Sequence, residues 1–227
     1  MPTAEPLAPF VERLRALVAD AQAIVDLRRY FGIDLPPGAM PFTGSRFEHL
    51  AGGGDRPEAA DTITATDLIA VQTLSVTVPV PVALDLLEGR LGPRLTDLLR
   101  AIPADVDMTY VDATDLAPNS PAQQAWDLLC DQHGVNWVTA GKLLARKRPR
   151  LLPVYDRVVR CAVGRPASFW CSMHAGLRAD DHALHRELVT SRQAAGLPES
   201  VSALRICDVV VWMRHRTDHQ ETNCALQ

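Results

Sequence analysis

No stretch of this chain approaches the roughly 18 consecutive apolar residues of a membrane span. The opening residues, MPTAEP, carry an acid where a secretory leader would carry bases, so neither a membrane anchor nor a signal peptide is expected. Cysteine is sparse and badly placed for cross-linking: five residues, at 130, 161, 171, 207 and 224. An odd number at wide spacing argues against a disulfide scaffold and for a reducing, cytoplasmic setting. The same spacing excludes the close four-cysteine loop of an iron-sulfur cluster. A Gly-rich phosphate loop, a Gly-x-Ser-x-Gly elbow and a His-Glu-x-x-His helix are all missing, which removes the commoner nucleotide, hydrolase and protease sites. No internal repeat is visible.

What the chain does have is length and segregated charge. Its 227 residues suit one large domain or two intimately packed lobes. A net charge of only -4 means that any contact with nucleic acid must be local. Between Lys142 and Arg165 there are eight basic residues against one acid, whereas the remainder holds 15 basic and 26 acidic residues. Positive charge gathered on one element of an acidic protein is the pattern of a nucleic-acid contact surface.

That element begins at a turn. Gly134-Val135-Asn136 lies between two helical patterns, and Gly supplies the positive φ that such a turn needs. Asn136 then falls at the N-cap of a helix from Trp137 to Arg146, whose first amides suit a phosphate. Thr139, Ala140 and Gly141 are small enough to let two helices cross closely. The basic set Lys142, Arg146, Lys147, Arg148 and Arg150 follows, and phosphate contact competes there with a solvated helix end paired to carboxylates.

The run Gly134-Val135-Asn136-Trp137-Val138-Thr139-Ala140, with Leu143-Leu144 and then Pro153-Val154-Tyr155-Asp156-Arg157-Val158, resembles the helix-hairpin-helix motif and following aspartate of the DNA glycosylase superfamily. The family pattern is Gly-Val-Gly-x-x-Thr-Ala, followed further on by Pro-Val-Asp. Asn136 replaces the second glycine, and Tyr155 sets the aspartate one residue late. Val138 occupies the position of the nucleophilic lysine in bifunctional members, so a Schiff-base lyase step is not implied. The resemblance implies that Asp156 lies in a cleft and stabilises the cationic sugar as an N-glycosidic bond breaks, and that Tyr155 and Trp137 stack on an extruded base. For Asp156 the alternative is a helix-start aspartate paired with Arg157 or Arg160; for the aromatics it is core packing. The whole chain is also similar to a bacterial family of unassigned function, through Phe42-Thr43-Gly44, Ile63-Thr64-Ala65 and Asp208 to Trp212.

Elsewhere the periodicity predicts one long helix over residues 5–30, stopped by Gly32. Residues 33–61 read as a long loop, with a short helix from Ser45 to Leu50, in which Phe42, Arg46 and Phe47 line a pocket or pin the loop to the core. Helices are expected over 67–74, 82–87, 91–102 and from Ser120, an N-cap with Pro121 and Gln123, into the hairpin. The prolines in Val76 to Val82 argue for a bend there, not a strand. Further helices are expected at 168–177, 180–195 and 200–215, the last buried all round with Arg205 and Asp208 paired.

Asp105, Asp107, Asp112 and Asp115 lack the spacing of a calcium loop. Cys171, His174, His182 and His185 have a spacing that zinc sites use, yet exposed helical histidines explain it better, and no metal or cofactor is expected. The expected architecture is all-α: a two-lobed helical bundle, DNA-glycosylase-like, over residues 1–216. Residues 64–165 form the hairpin-bearing lobe, 5–60 and 166–216 the second, and 217–227 a flexible tail. The expected function is duplex DNA binding through backbone phosphates, with a monofunctional base-directed activity. The alternatives are a non-catalytic nucleic-acid-binding module, or a protein-interaction role in which the arginines meet an acidic partner.

Overall fold

A computed structural model describes residues 7–222. Among them every regular element is helical, in ten α-helices: α1 Leu7–Val18, α2 Gln22–Phe31, α3 Ala65–Gln72, α4 Val80–Leu87, α5 Leu91–Arg100, α6 Pro121–Cys130, α7 Trp137–Lys147, α8 Arg157–Val163, α9 Phe169–Ala194 and α10 Ala203–Thr222. No helix among the described residues is long and apolar enough to cross a membrane.

The chain divides into two compact units, one of residues 43–153 and one of 1–42 with 154–227. These boundaries differ from the expected 64–165 lobe at both ends. The loop before α3 is bonded to α7, which draws residues 43–63 into the middle unit, while α8 packs on α10 and α1 and so belongs to the other.

In the middle unit, α7 packs against both α3 and α6, and α5 packs against α4 and α6. Local chemistry sets the helix starts. Thr64 accepts from the Asp67 amide while Asp67 returns a bond to the Thr64 amide, a reciprocal box that starts α3 at Ala65. Ser120 Oγ accepts from the Gln123 amide, and Pro121 fills the first position of α6. The expected helix at 45–50 is replaced by two 3-10 turns, Thr43–Arg46 and Leu50–Gly52. The reason is competition: the carbonyls of Phe47, Glu48 and Leu50 are taken by Arg146, not by a helical ladder. Phe47 is buried in this unit, and Arg46 is exposed.

In the other unit, α10 is the centre, packed on α2, α8, α9 and α1. Residues 203–211 are all buried, as their near-continuous apolar run requires. The predicted single helix over 5–30 breaks at residues 19–21, because Asp20 accepts from the Gln22 amide at 2.9 Å and competes with the helical ladder; residues 5 and 6 lie outside the described ones. Gly32, at φ 82°, ends α2 as expected. α9 joins the two helices predicted separately, but its path is interrupted: Asp180, Asp181 and His182 are left-handed, at φ 50°, 52° and 61°. Asp180 pairs with Arg15 at 2.5 Å, and Asp181 pairs with Arg186. Residues 217–222, expected in a polar tail, continue α10; 223–227 lie outside the described residues. Against the expectation of unlinked cysteines, Cys161 is disulfide-bonded.

Candidate functional site

The hairpin has the predicted shape. Gly134 sits at φ 81°, and a Cβ added there would lie 2.9 Å from Pro79 Cγ, so both backbone and space demand glycine. The Val135 amide donates to the Gln132 carbonyl at 3.0 Å. Asn136 caps α7, its Oδ1 accepting from the Val138 and Thr139 amides at 3.0 Å each. Gly134 and Asn136 are exposed and Trp137 is half-buried, but Val135 and Thr139 are buried. Two of the amides expected to meet a phosphate are therefore already bonded to the Asn136 side chain.

The basic collar does not exist as a surface. Arg146, Lys147 and Arg148 are 0% exposed and Lys142 is 4% exposed. Arg146 Nε donates to Asp67 Oδ1 at 3.0 Å, Nη1 to the Phe47 and Glu48 carbonyls at 2.6 Å, and Nη2 to the Leu50 carbonyl at 2.7 Å. Lys147 Nζ donates to Asp67 Oδ2 at 3.0 Å. Arg148 reaches the carbonyls of Ile102, Ala60 and Leu99, and its Nη2 meets Asp61 Oδ1 at 2.6 Å. Lys142 Nζ donates to the Leu74 carbonyl at 2.9 Å. Of this set only Arg150 reaches solvent, half-buried with its side chain 38% accessible and paired to Asp107 at 2.8 Å.

The physical reason is backbone accounting. The irregular segment before α3 and the end of α5 expose carbonyls that no helix satisfies, and a buried carbonyl without a donor costs stability. Guanidinium groups, with five donors each, close that account from within α7. Burial holds the Lys147 ammonium below its usual pKa, against the opposing pull of Asp67. With these cations enclosed, and Glu48 and Asp67 with them, the rest of the middle unit presents six basic and twelve acidic side chains. Its outer charge is negative, so neither a polyanion nor an acidic partner is drawn to the hairpin by the run 146–148.

Asp156 behaves differently. It is half-buried at the N-cap of α8, its Oδ1 accepting from the Val158 and Val159 amides at 3.0 Å each. Arg157 and Arg165 are exposed and Arg160 is half-buried, and no acid occurs between residues 157 and 179. Positive charge thus survives at the surface around α8. Tyr155 is committed elsewhere: its hydroxyl donates to the Gly164 carbonyl at 2.7 Å, and its ring stacks on Phe169 with centroids 3.8 Å apart. That face is not open to an extruded base.

A neighbouring cluster escaped the sequence reading except for one pair. Arg205 and Asp208 form the predicted ion pair, and Arg205 Nη2 also donates to the Tyr30 hydroxyl. Burial raises the Tyr30 phenol above its usual pKa, with Arg205 opposing it. Phe42 stacks on Tyr30 at 5.3 Å and meets Trp212 at 5.7 Å, while the Arg216 guanidinium lies 5.0 Å from the Phe42 ring. Phe42 therefore pins its loop. His174 and His185 are buried, and among the described residues no three metal-ligating side chains converge.

Residues 23–215 match a family of unknown function (DUF6308). No curated protein matches the chain, and no solved structure matches it.

Proposed function

We propose that this chain, which belongs to the DUF6308 family of unknown function, is a nucleic-acid-binding protein of helix-hairpin-helix DNA-glycosylase type whose phosphate contacts come from α8 and the residues just after it. The carrying observation is two exposed arginines, Arg157 next to Asp156 at the start of α8 and Arg165 just past its end, in a stretch with no other carboxylate until residue 180. Guanidinium groups suit backbone phosphates because their planar fork matches two phosphate oxygens.

Within this reading Asp156 is the anion that faces positive charge developing on the sugar as the N-glycosidic bond breaks. The bond's electrons leave with the base, water adds to the sugar carbon, and the proton that the water gives up neutralises the departing base. An anion so placed is worth several kcal/mol, on the order of 3, where water is excluded. Val138 removes the lysine route, so the reaction ends at base release.

Affinity for duplex DNA is expected to fall steeply with salt, and the Arg157→Glu, Arg165→Glu variant is expected to lose about two units of the logarithmic salt slope. A flat salt response overturns the proposal. Asp156→Asn keeps the cap, since asparagine caps as well as aspartate, and is expected to abolish base release from damaged duplexes while binding survives. Salt-dependent binding with no release from any lesion leaves a non-catalytic module.

A further inference from the structure

We propose that the outward face of α4 joins two copies of this chain about a two-fold axis. Val80, Leu84 and Leu87 are 68%, 52% and 40% exposed. At positions i, i+4 and i+7 they form one stripe along the helix. Val82 and Leu86, on the opposite side, are buried and fix the helix to its unit. Large exposed aliphatic side chains set in a row mark an interaction surface.

Both ends of the stripe carry a net charge, and the net charges are opposite. Beyond Leu87 stand the exposed Glu88, Arg90 and Arg94, two cations against one acid. Their turn is rigid, because Asp85 Oδ1 accepts from the Arg90 and Leu91 amides at 2.7 and 3.2 Å. Before Val80 stands the hairpin, fixed by the close approach of Gly134 to Pro79. It carries the exposed Asp127 and Asp131 at the end of α6. Among the described residues, Arg90, Arg94 and Asp131 form no ion pair within the chain.

A stripe that is basic at one end and acidic at the other complements itself when turned end for end. Antiparallel pairing sets Val80 against Leu87 of the second copy, Leu84 against itself, and the two arginines against the two aspartates, twice over. That reciprocity is the defining property of a two-fold interface. A uniformly basic partner would meet Arg90 and Arg94 with like charge, and a uniformly acidic one would meet Asp127 and Asp131, so a second copy fits where either fails. The inference is independent of nucleic-acid binding.

Sedimentation of the full chain over a wide concentration range tests it. The expected result is a reversible monomer–dimer equilibrium. Leu84→Glu is expected to abolish the dimer with no change in circular dichroism or melting, because Leu84 faces solvent. Two charge variants, Arg90→Glu with Arg94→Glu, and Asp127→Arg with Asp131→Arg, are each expected to dimerise at least about tenfold more weakly than wild type, since like charges then face each other. Mixed in equal amounts, they are expected to form the heterodimer and recover wild-type association. A wild-type chain that stays monomeric throughout overturns the proposal, as does a mixture that associates no better than the separate variants.

Discussion

Asp67 and Arg146 meet at 3.0 Å across a separation of 79 residues, and the two side chains are 1% and 0% exposed. The second oxygen of the same carboxylate receives Lys147, so one aspartate answers two enclosed cations. Removing it strands both. Asp67→Ala is expected to destabilise by roughly 3–5 kcal/mol, the usual consequence of leaving a buried charge without its partner. Urea unfolding followed by circular dichroism measures this, and a loss below about 1 kcal/mol would contradict the geometry.

Charge reversal separates structure from binding. Lys147→Glu with Arg148→Glu places two carboxylates in an enclosed, carbonyl-lined site, and the variant is expected to lose its cooperative melting transition. Arg157→Glu with Arg165→Glu alters exposed side chains only, and its stability is expected to stay within about 0.5 kcal/mol of wild type. If the first variant melts normally and only loses DNA affinity, the burial of the basic run is wrong.

The interruption in α9 has a signature of its own. Asp181 is left-handed at φ 52°, and its pairing with Arg186 is exposed. A left-handed residue with a side chain costs about 1–2 kcal/mol that glycine does not incur. Asp181→Gly is therefore expected to raise the melting temperature, equivalent to about 1 kcal/mol. In an unbroken helix the same change would lower stability by about as much, so the sign of the shift decides between the two backbones.

Alkaline pH probes α10. Burial pushes the Cys207 thiol up to about 12 from an ordinary 9.0, and Cys130 up to about 11. Their folded values lie above the unfolded one, so above pH 9 the unfolded chain releases these protons first and stability falls as pH rises. Each thiol contributes a slope of about 1.4 kcal/mol per pH unit within its own window. Cys207→Ala is expected to flatten the decline between pH 9 and 11 relative to wild type, whatever its stability at pH 7. Denaturant midpoints across that range provide the readout.

Helix starts were legible in the sequence because capping is local. Thr64 with Asp67, Ser120 with Gln123, Asn136 and Asp156 each bond to amides no more than three residues away. The fate of the basic run was not legible, since all but one of the groups that receive it lie 46 to 99 residues earlier. A row of cations looks the same in one dimension whether it faces water or the backbone of a distant loop. Trp137 was flagged by the motif, whereas Arg157 entered only through the charge count and as a possible partner of Asp156, and only burial distinguished it from Arg148. The left-handed turn at Asp180-Asp181-His182 had no sequence signal, because no glycine marks it. Arg205 and Asp208 were readable as a helical pair, whereas Tyr30, 175 residues away, was not.

The bonds from Arg146 also fix an order of events during synthesis. The carbonyls of Phe47, Glu48 and Leu50 precede their donor by 99, 98 and 96 residues. At a translation rate of about 5–20 residues per second, that interval is on the order of 5–20 s on the ribosome. Until α7 clears the exit tunnel, the loop ahead of α3 has only water to satisfy it, so the nascent chain waits there with its first half unlocked.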